Sequence, residues 1–221
     1  MKLLFNALIK YISGLVIVIA ILFLPAGSLN YYNGWMFIAL LFLPMLSLGA
    51  VLLIKSPDLL EKRIGVKEKE KTQKGVVAFS AFMFMIGFII AGFDYRFGWS
   101  NIPLPIVITA SVIMLLSYML YAEVMRENAY LSRTVEVQEN QKIIDSGLYG
   151  IVRHPMYAVT LWLFLSIPIV LGSWLSFLCF IPYIGIIVIR IINEEKVLEK
   201  GLEGYKDYKK RVKYRLIPFI W

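Results

Sequence analysis

Six apolar runs divide the chain, and polar stretches of unequal length separate them. The first four runs are each long enough to cross a bilayer as a helix, which needs roughly 20 residues. The last two are shorter and are split by the sequence Leu-Gly-Ser-Trp at 171–174. This pattern predicts an all-α, polytopic membrane bundle of about five to six transmembrane helices that includes a C-terminal helical hairpin. The runs lie at 7–26, 34–54, 76–93, 103–122, 157–171 and 174–190.

Composition agrees with a membrane protein. Apolar residues make up 59% of the 221 positions and charged residues 17%, and the mean hydropathy is +0.72, which is outside the usual range of soluble domains. The first run lacks a small-residue cleavage site and is long enough to span, so we predict that it is retained. The single cysteine, Cys179, excludes an intrachain disulfide and a cysteine metal site, and its thiol is predicted to be packed or to face lipid.

Lysine and arginine predict the orientation, because basic residues near helix ends stay on the cytoplasmic side. Lys2 and Lys10 lie before and at the start of the first run, seven basic residues lie from Lys55 to Lys74, four from Arg126 to Arg153 and nine from Arg190 to Arg215. Arg96 is the one left for the opposite side. This asymmetry predicts six crossings with both termini in the cytoplasm. It also explains the net charge of +8 by attraction to anionic lipid headgroups, and no soluble basic domain is present to bind nucleic acid.

The chain is predicted to fall into two parts. Residues 1–122 form N-terminal transmembrane helices, and the basic loop at 55–75 between them is predicted to be a solvated cytoplasmic connector. Residues 123–221 hold nearly all the chemically useful side chains. The predicted elements of this second part are a cytoplasmic loop at 123–157, a helical hairpin at 157–190 and a C-terminal amphipathic helix at 191–221.

The loop holds the one histidine of the chain, in the sequence GLYGIVRHPMY at 147–157. Residues 133–144 alternate polar and apolar as an extended strand would. A residue before proline is disfavoured in the α region, so the backbone at His154 is predicted to be extended where a helix begins at Pro155. One histidine without a cysteine offers too few ligands for zinc. We therefore predict an ordered loop at the mouth of the bundle and no metal site.

The C-terminal segment begins at the membrane boundary with an arginine and a pair of glutamates. Arg190 and Glu194 are four residues apart and share a helix face. A charged arginine at this depth costs desolvation unless it is paired or faces a polar cavity. We therefore expect the pair to offer a donor for an anionic ligand beside an acceptor. Tyr205, Tyr208 and Tyr214, which lie among lysines, are predicted to sit at the headgroup level.

Two motifs together resemble a known family. The sequence SGLYGIVRHPMY at 146–157 is followed by about 30 apolar residues and then by RIINEEKVLEKGLEGYKDYKKRV from Arg190. This combination resembles the isoprenylcysteine carboxyl methyltransferase family of integral membrane enzymes, whose hallmark is RHPxYxG followed, after a helical hairpin, by paired glutamates. The resemblance covers about the last 90 residues. One departure is Val159, which stands where the family has glycine.

The resemblance implies an S-adenosylmethionine-dependent methyltransferase with a cytoplasmic cofactor pocket. Arg190 would hold the carboxylate to be methylated, Glu194 would face the cofactor, and a lipophilic or prenylated substrate would enter from the bilayer. A guanidinium suits a carboxylate, and transfer to an ionised carboxylate needs positioning more than a strong base. The implied cofactor-binding residues are Gln138, Lys142, Ile143, Ile144, Tyr149, His154, Pro155, Met156, Tyr157 and Glu194.

Three alternatives remain open. A membrane methyltransferase acting on an amine or phospholipid headgroup is one, although the Gly-x-Gly pattern that such enzymes tend to use is not seen. An NADPH-dependent sterol-type reductase with the same C-terminal architecture is the second. A scaffold or transporter is disfavoured, because the polar residues lie at span ends and not at the midplane. A Rossmann-type enzyme is excluded, since no GxGxxG follows a strand. The sequence does not indicate an oligomeric state.

Overall fold

The structure, a computed structural model, describes residues 2–65, 71–131 and 137–221. In these ranges the chain is helical, with no β-strand, and a short 3₁₀ turn, Gly147–Gly150, lies in the loop before the C-terminal hairpin. The helices are α1 (Lys2–Ala26), α2 (Tyr32–Lys55), α3 (Pro57–Gly65), α4 (Lys71–Phe97), α5 (Leu104–Glu127), α6 (Pro155–Val170), α7 (Trp174–Phe180), α8 (Pro182–Gly201) and α9 (Tyr205–Arg211).

Five helical segments of the described chain are long and apolar enough to cross a membrane: α1, α2, α4, α5 and the α7–α8 segment. Much of their apolar surface faces outward. For example, Leu24, Ile54 and Met119 are 78%, 80% and 68% exposed, as expected for side chains solvated by lipid and not by water. The predicted polytopic helical membrane bundle is confirmed.

Helix α6 has 16 residues and falls below the length of a full span, yet it joins opposite ends of the bundle. Its first turn lies beside the end of α8, where Arg153 donates to Glu195. Its last turn lies beside the α1–α2 connection, where Asn33 Nδ2 donates to the carbonyl of Val170 at 2.9 Å. We call the first of these the loop end of the bundle and the second the far end. The predicted hairpin thus leaves the loop end and returns to it.

A buried carboxylate ties the connections together at the far end. Asp94 is 1% exposed and accepts hydrogen bonds from the backbone N–H and the hydroxyl of Ser100, both at 2.6 Å, and from the hydroxyl of Ser173. Ser100 Oγ in turn accepts from the Trp174 N–H at 3.0 Å. Asp94 therefore holds the α4–α5 connection against the start of α7, which fixes the turn of the hairpin.

Replacement of Asp94 by alanine is expected to destabilise the bundle, because it leaves three donors without their acceptor. Loss of charge-assisted bonds of this kind costs about 2 kcal/mol of unfolding free energy, or roughly 4–8 °C in the midpoint of thermal unfolding. The measurement is the temperature at which half of the detergent-purified protein loses its monodisperse state. Alanine at the exposed Glu203 is the control, and equal midpoints for the two variants would contradict the structural role of Asp94.

The structure differs from prediction in three segments. Residues 57–65 of the expected solvated connector form α3, and its Leu59 and Leu60 are both 6% exposed because they pack on the bundle. The strand-like segment has no strand at 137–144, and its residues 133–136 lie outside the described residues. The expected helix at 191–221 is interrupted after Gly201, because Gly204 adopts φ +78° and begins the separate helix α9.

Candidate active site

A cavity of about 450 Å³ opens at the loop end, within the size range of small-molecule sites. One part is polar and lies under the loop, next to the end of α8 and to α9. The other part, which we call the apolar arm, is lined mainly by apolar side chains of α4, α6 and α8, with Ser80 and Thr160 among them. The arm is lined by Val76, Val77, Ala81, Phe84, Phe164, Tyr183, Ile186 and Ile187. A single cavity therefore joins polar groups at the loop end to an apolar space inside the bundle.

Tyr157 links the two residues that the sequence paired across one helical turn. Arg190 Nε donates to the Tyr157 hydroxyl at 2.8 Å, and that hydroxyl donates to Glu194 Oε2. The Arg190 guanidinium also lies 5.8 Å from the centre of the Tyr157 ring. The prediction that Arg190 and Glu194 share a face is confirmed. Both line the cavity with Tyr157, so the desolvation of this arginine is offset by its partners.

Glu195, the neighbour of Glu194, points away from the cavity and is 3% exposed. Its Oε1 accepts from Arg153 Nε at 2.8 Å and lies 3.3 Å from His154 Nε2. Its Oε2 accepts from Arg215 Nε at 3.0 Å, and Lys209 Nζ is 3.4 Å away. One carboxylate thus joins the loop, α8, α9 and the C-terminal segment. The two adjacent glutamates have different surroundings because successive helical positions point about 100° apart.

The C-terminal segment completes the support of the loop. The backbone N–H groups of Arg153 and His154 donate to the carbonyls of Tyr214 and Arg215, both at 2.9 Å. Arg153 Nη1 donates to the carbonyls of Val212 and Lys213 at 2.7 and 2.8 Å. Pro155 begins α6, as predicted. His154 before it has φ −127° and ψ 60°, so its backbone lies outside the α region but is not fully extended as predicted. The backbone at the entry to α6 is therefore held from the opposite side of the loop.

The 3₁₀ turn before this entry is held by α5 and α9. The N–H of Leu148 donates to Glu127 Oε2 at 3.0 Å, and the Tyr208 hydroxyl donates to the Tyr149 carbonyl at 2.7 Å. Burial raises the pKa of Tyr208, so this phenol remains a protonated donor. Gly147 has φ +54°, and a Cβ there would displace the Glu127 carboxylate that accepts from the Leu148 N–H. The left-handed backbone therefore favours glycine where the turn meets α5.

Most of the residues implied by the resemblance lie around the cavity. Its lining includes nine of them: Lys142, Ile143, Ile144, Tyr149, His154, Met156, Tyr157, Arg190 and Glu194. Two others lie elsewhere. Gln138 accepts from Lys62 Nζ at 2.7 Å and is not in the lining, and Pro155 serves to start α6. Val159 is 6% exposed and packs in a buried cluster with Leu59 and Met156, so this departure from the family pattern affects helix packing next to the site.

Several cavity residues were missed by sequence reasoning. Arg153 and Arg63 add cationic groups to the lining, and α4 supplies much of the apolar arm. The prediction that Tyr205 and Tyr208 sit at the headgroup level is wrong, since they are 4% and 3% exposed and line the cavity. Their spacing of three on one helix face was the available signal. The α4 wall had no such signal, because that run is apolar throughout.

No cluster of three or more histidine, cysteine, aspartate or glutamate side chains suited to a metal ion occurs in the described part of the chain. Cys179 is half-buried against the core, within the range of its predicted environments. The chemical groups of the site are thus guanidinium, imidazole, phenol and carboxylate groups beside an apolar arm. Such a set is suited to binding a ligand that has both charged and apolar parts.

Comparison with known proteins gives a curated relative and a family model that each match part of the chain. The Delta(14)-sterol reductase of Mus musculus is 31% identical over 91 residues, which are 40% of this chain and 22% of the reductase. The chain therefore matches about a fifth of that relative's length. Residues 105–204 match the family model described as phospholipid methyltransferase. From α5 to the residue before α9, the part that supplies Arg190, Tyr157 and Glu194, this chain is similar to the phospholipid methyltransferase family.

Proposed function

We propose that this protein is an integral membrane methyltransferase that uses S-adenosylmethionine and methylates the carboxylate of a lipophilic, isoprenylcysteine-like molecule. The observation that carries the proposal is a cavity that extends into an apolar arm and in which Arg190 and Glu194 are joined by hydrogen bonds through Tyr157. The similarity of residues 105–204 to a methyltransferase family supports the reaction class.

The residues at the polar end fit the cofactor in charge and polarity. S-adenosylmethionine carries positive groups and a carboxylate, together with a flat adenine. Glu194 is an acceptor for a positive group, Lys142 and Arg153 are donors for a carboxylate, and Ile143, Ile144, Leu198 and Leu202 offer apolar contacts. When bound, S-adenosylmethionine supplies a methyl group activated by a positively charged sulfur.

In this proposal, Arg190 binds the carboxylate that accepts the methyl group. Its guanidinium is oriented by Tyr157 and lies where the polar end meets the apolar arm, so a carboxylate can bind there while an attached lipid occupies the arm. An already ionised carboxylate needs no base, and the contribution of the site is to align the reacting groups and exclude water. Such a substrate would reach the arm from the bilayer, and membrane lipids are the natural surroundings of this chain.

We propose further that the site faces the cytoplasm. The loop end carries Lys10, Lys62, Lys142 and Arg153, whereas Arg96 lies beside Gly27 at the far end. This is the asymmetry that the positive-inside rule describes. The expected result is that a maleimide reagent impermeant to membranes labels a cysteine at Lys213 only in inverted vesicles. Labelling of that cysteine in right-side-out vesicles would contradict this orientation.

Cofactor binding separates the proposal from its reductase alternative, which the sterol reductase similarity favours. Calorimetry on detergent-purified protein is expected to detect S-adenosylmethionine and to detect no NADPH. Binding of NADPH alone would overturn the methyltransferase proposal.

The acceptor is tested with labelled methyl groups. N-acetyl-S-farnesylcysteine is expected to gain a methyl ester, which base hydrolyses to volatile methanol. Phosphatidylethanolamine would instead gain a base-stable N-methyl group, the outcome that the phospholipid methyltransferase description would favour. Base-stable label with the phospholipid alone would contradict the carboxylate proposal and leave the methyltransferase proposal standing.

A further inference from the structure

One polar atom in a cavity-lining residue is not accounted for by the packing of the described residues. The Tyr205 side chain lines the cavity, and the residue is 4% exposed. Its hydroxyl is buried and has no hydrogen-bond partner among the residues that the structure describes. A buried hydroxyl without a partner is costly, so a purely structural position would favour phenylalanine.

Tyr208, on the same helix, shows the contrast. Both rings are buried, and their centres are 5.8 Å apart. The Tyr208 hydroxyl donates to the Tyr149 carbonyl and thereby supports the loop, whereas the Tyr205 hydroxyl makes no such bond to any described residue. Hydroxyl groups on neighbouring rings therefore have different roles, and that of Tyr205 is not explained by the fold of the described residues.

The surroundings keep this hydroxyl protonated and place it near the cofactor region. Burial raises the pKa of Tyr205, and the nearby carboxylates of Glu195 and Glu194 raise it further. Tyr205 forms a buried cluster with Tyr208 and Val212, and the cavity-lining residues Ile143, Leu198 and Leu202 pack against this cluster. The apolar arm is built instead by α4, α6 and the first half of α8. The unpartnered O–H of Tyr205 therefore belongs to a side chain in the wall of the polar end, where it is buried among the described residues.

We propose that the Tyr205 hydroxyl donates a hydrogen bond to an acceptor atom of the S-adenosylmethionine bound in the cavity, which makes Tyr205 a cofactor-binding residue. This inference rests on the proposed function. Tyr205 directly follows the segment that matches the methyltransferase family model, so the assignment comes from the cavity and not from that match.

The test compares Tyr205→Phe with the parent chain by two measurements. Calorimetry with S-adenosylmethionine is expected to show affinity about fivefold weaker in the variant, the size of one net hydrogen bond. Thermal unfolding without cofactor is expected at the same or a higher temperature in the variant, because phenylalanine removes a buried hydroxyl that lacks a partner. Loss of a ligand contact lowers the cofactor affinity without lowering the unfolding temperature, whereas loss of a structural contact would lower the unfolding temperature.

Tyr214→Phe is the matched control, since the Tyr214 ring packs on Phe219 outside the cavity lining, and it is expected to bind the cofactor as the parent does. Equal affinity of Tyr205→Phe and the parent would overturn this inference and leave the proposed function intact. A lower unfolding temperature for Tyr205→Phe without cofactor would also overturn it, because the hydroxyl would then serve the fold. Absence of binding by the parent chain would overturn both proposals.

Discussion

Replacement of Glu195 by glutamine is expected to lower the unfolding free energy by about 3 kcal/mol, the cost of removing one partner from a buried ion pair. The reason is that Arg153, which is 6% exposed, would keep its charge and lose its carboxylate. The change corresponds to roughly 6–12 °C in the unfolding midpoint. We expect it to be the largest stability effect of any single charge replacement at the loop end.

Thermal unfolding in detergent measures this effect, and Glu199→Gln is the matched control one turn further along α8. Glu199 pairs with Lys209, but both side chains are partly exposed, and such a pair contributes about 0–1 kcal/mol. A midpoint for Glu195→Gln within 2 °C of that of Glu199→Gln would contradict the prediction that the Glu195 carboxylate stabilises the loop end. The polar backbone contacts of Arg153 would then be sufficient to hold the loop.

The different surroundings of Glu194 and Glu195 mark one limit of sequence reasoning. The spacing of Arg190 and Glu194 predicts a shared face, and the bonds through Tyr157 confirm it. The burial of Glu195 depends on Arg215, which is 20 residues away, and on the backbone of the C-terminal segment. Helical periodicity describes neighbours within one helix and carries no information on which distant segment packs on each face.

The misplacement of Tyr205 and Tyr208 has a related cause. Tyrosine among lysines is typical of a headgroup position, and the same pattern suits a helix that packs its tyrosine face inward. The left-handed backbone at Gly204 turns α9 toward the loop, and Tyr208 then reaches the Tyr149 carbonyl. Which face of an amphipathic helix meets protein and which meets lipid is decided by this tertiary contact.

For the apolar helices, the sequence predicted the spans but not which side chains line the cavity. The lengths of the runs were sufficient to predict the spans and the final hairpin, because bilayer thickness sets a length that the sequence must meet. The same uniform hydrophobicity hides the role of α4, whose Val76 and Phe84 line the cavity while Phe79 and Phe82 are half exposed on its outer surface. The burial of Leu59 in α3 was not predicted either, because this leucine lies among charged residues in the sequence.

Replacement of Arg190 by alanine is expected to reduce kcat/KM for methyl transfer by about 10³-fold, because truncating a hydrogen-bonded charge in a desolvated site costs about 2–5 kcal/mol. The loss should appear in the reaction with the lipophilic acid. Affinity for S-adenosylmethionine should stay within about threefold of the parent, since Glu194 and the loop residues remain. Arg190→Lys should recover only part of the activity, because an ammonium lacks the planar fork of donors that suits a carboxylate.

Initial rates at varied acceptor concentration, with calorimetry for the cofactor, separate these effects. Arg126→Ala is the control, since Arg126 pairs with Glu123 at 2.6 Å on the exposed surface and its loss should change neither quantity. Because Arg190 also orients Tyr157, a loss of cofactor affinity equal to the loss of kcat/KM would show that the arginine shapes the cofactor pocket and not the acceptor position. Unchanged turnover and acceptor KM in Arg190→Ala would contradict the carboxylate anchor and favour an acceptor that meets Glu194 instead.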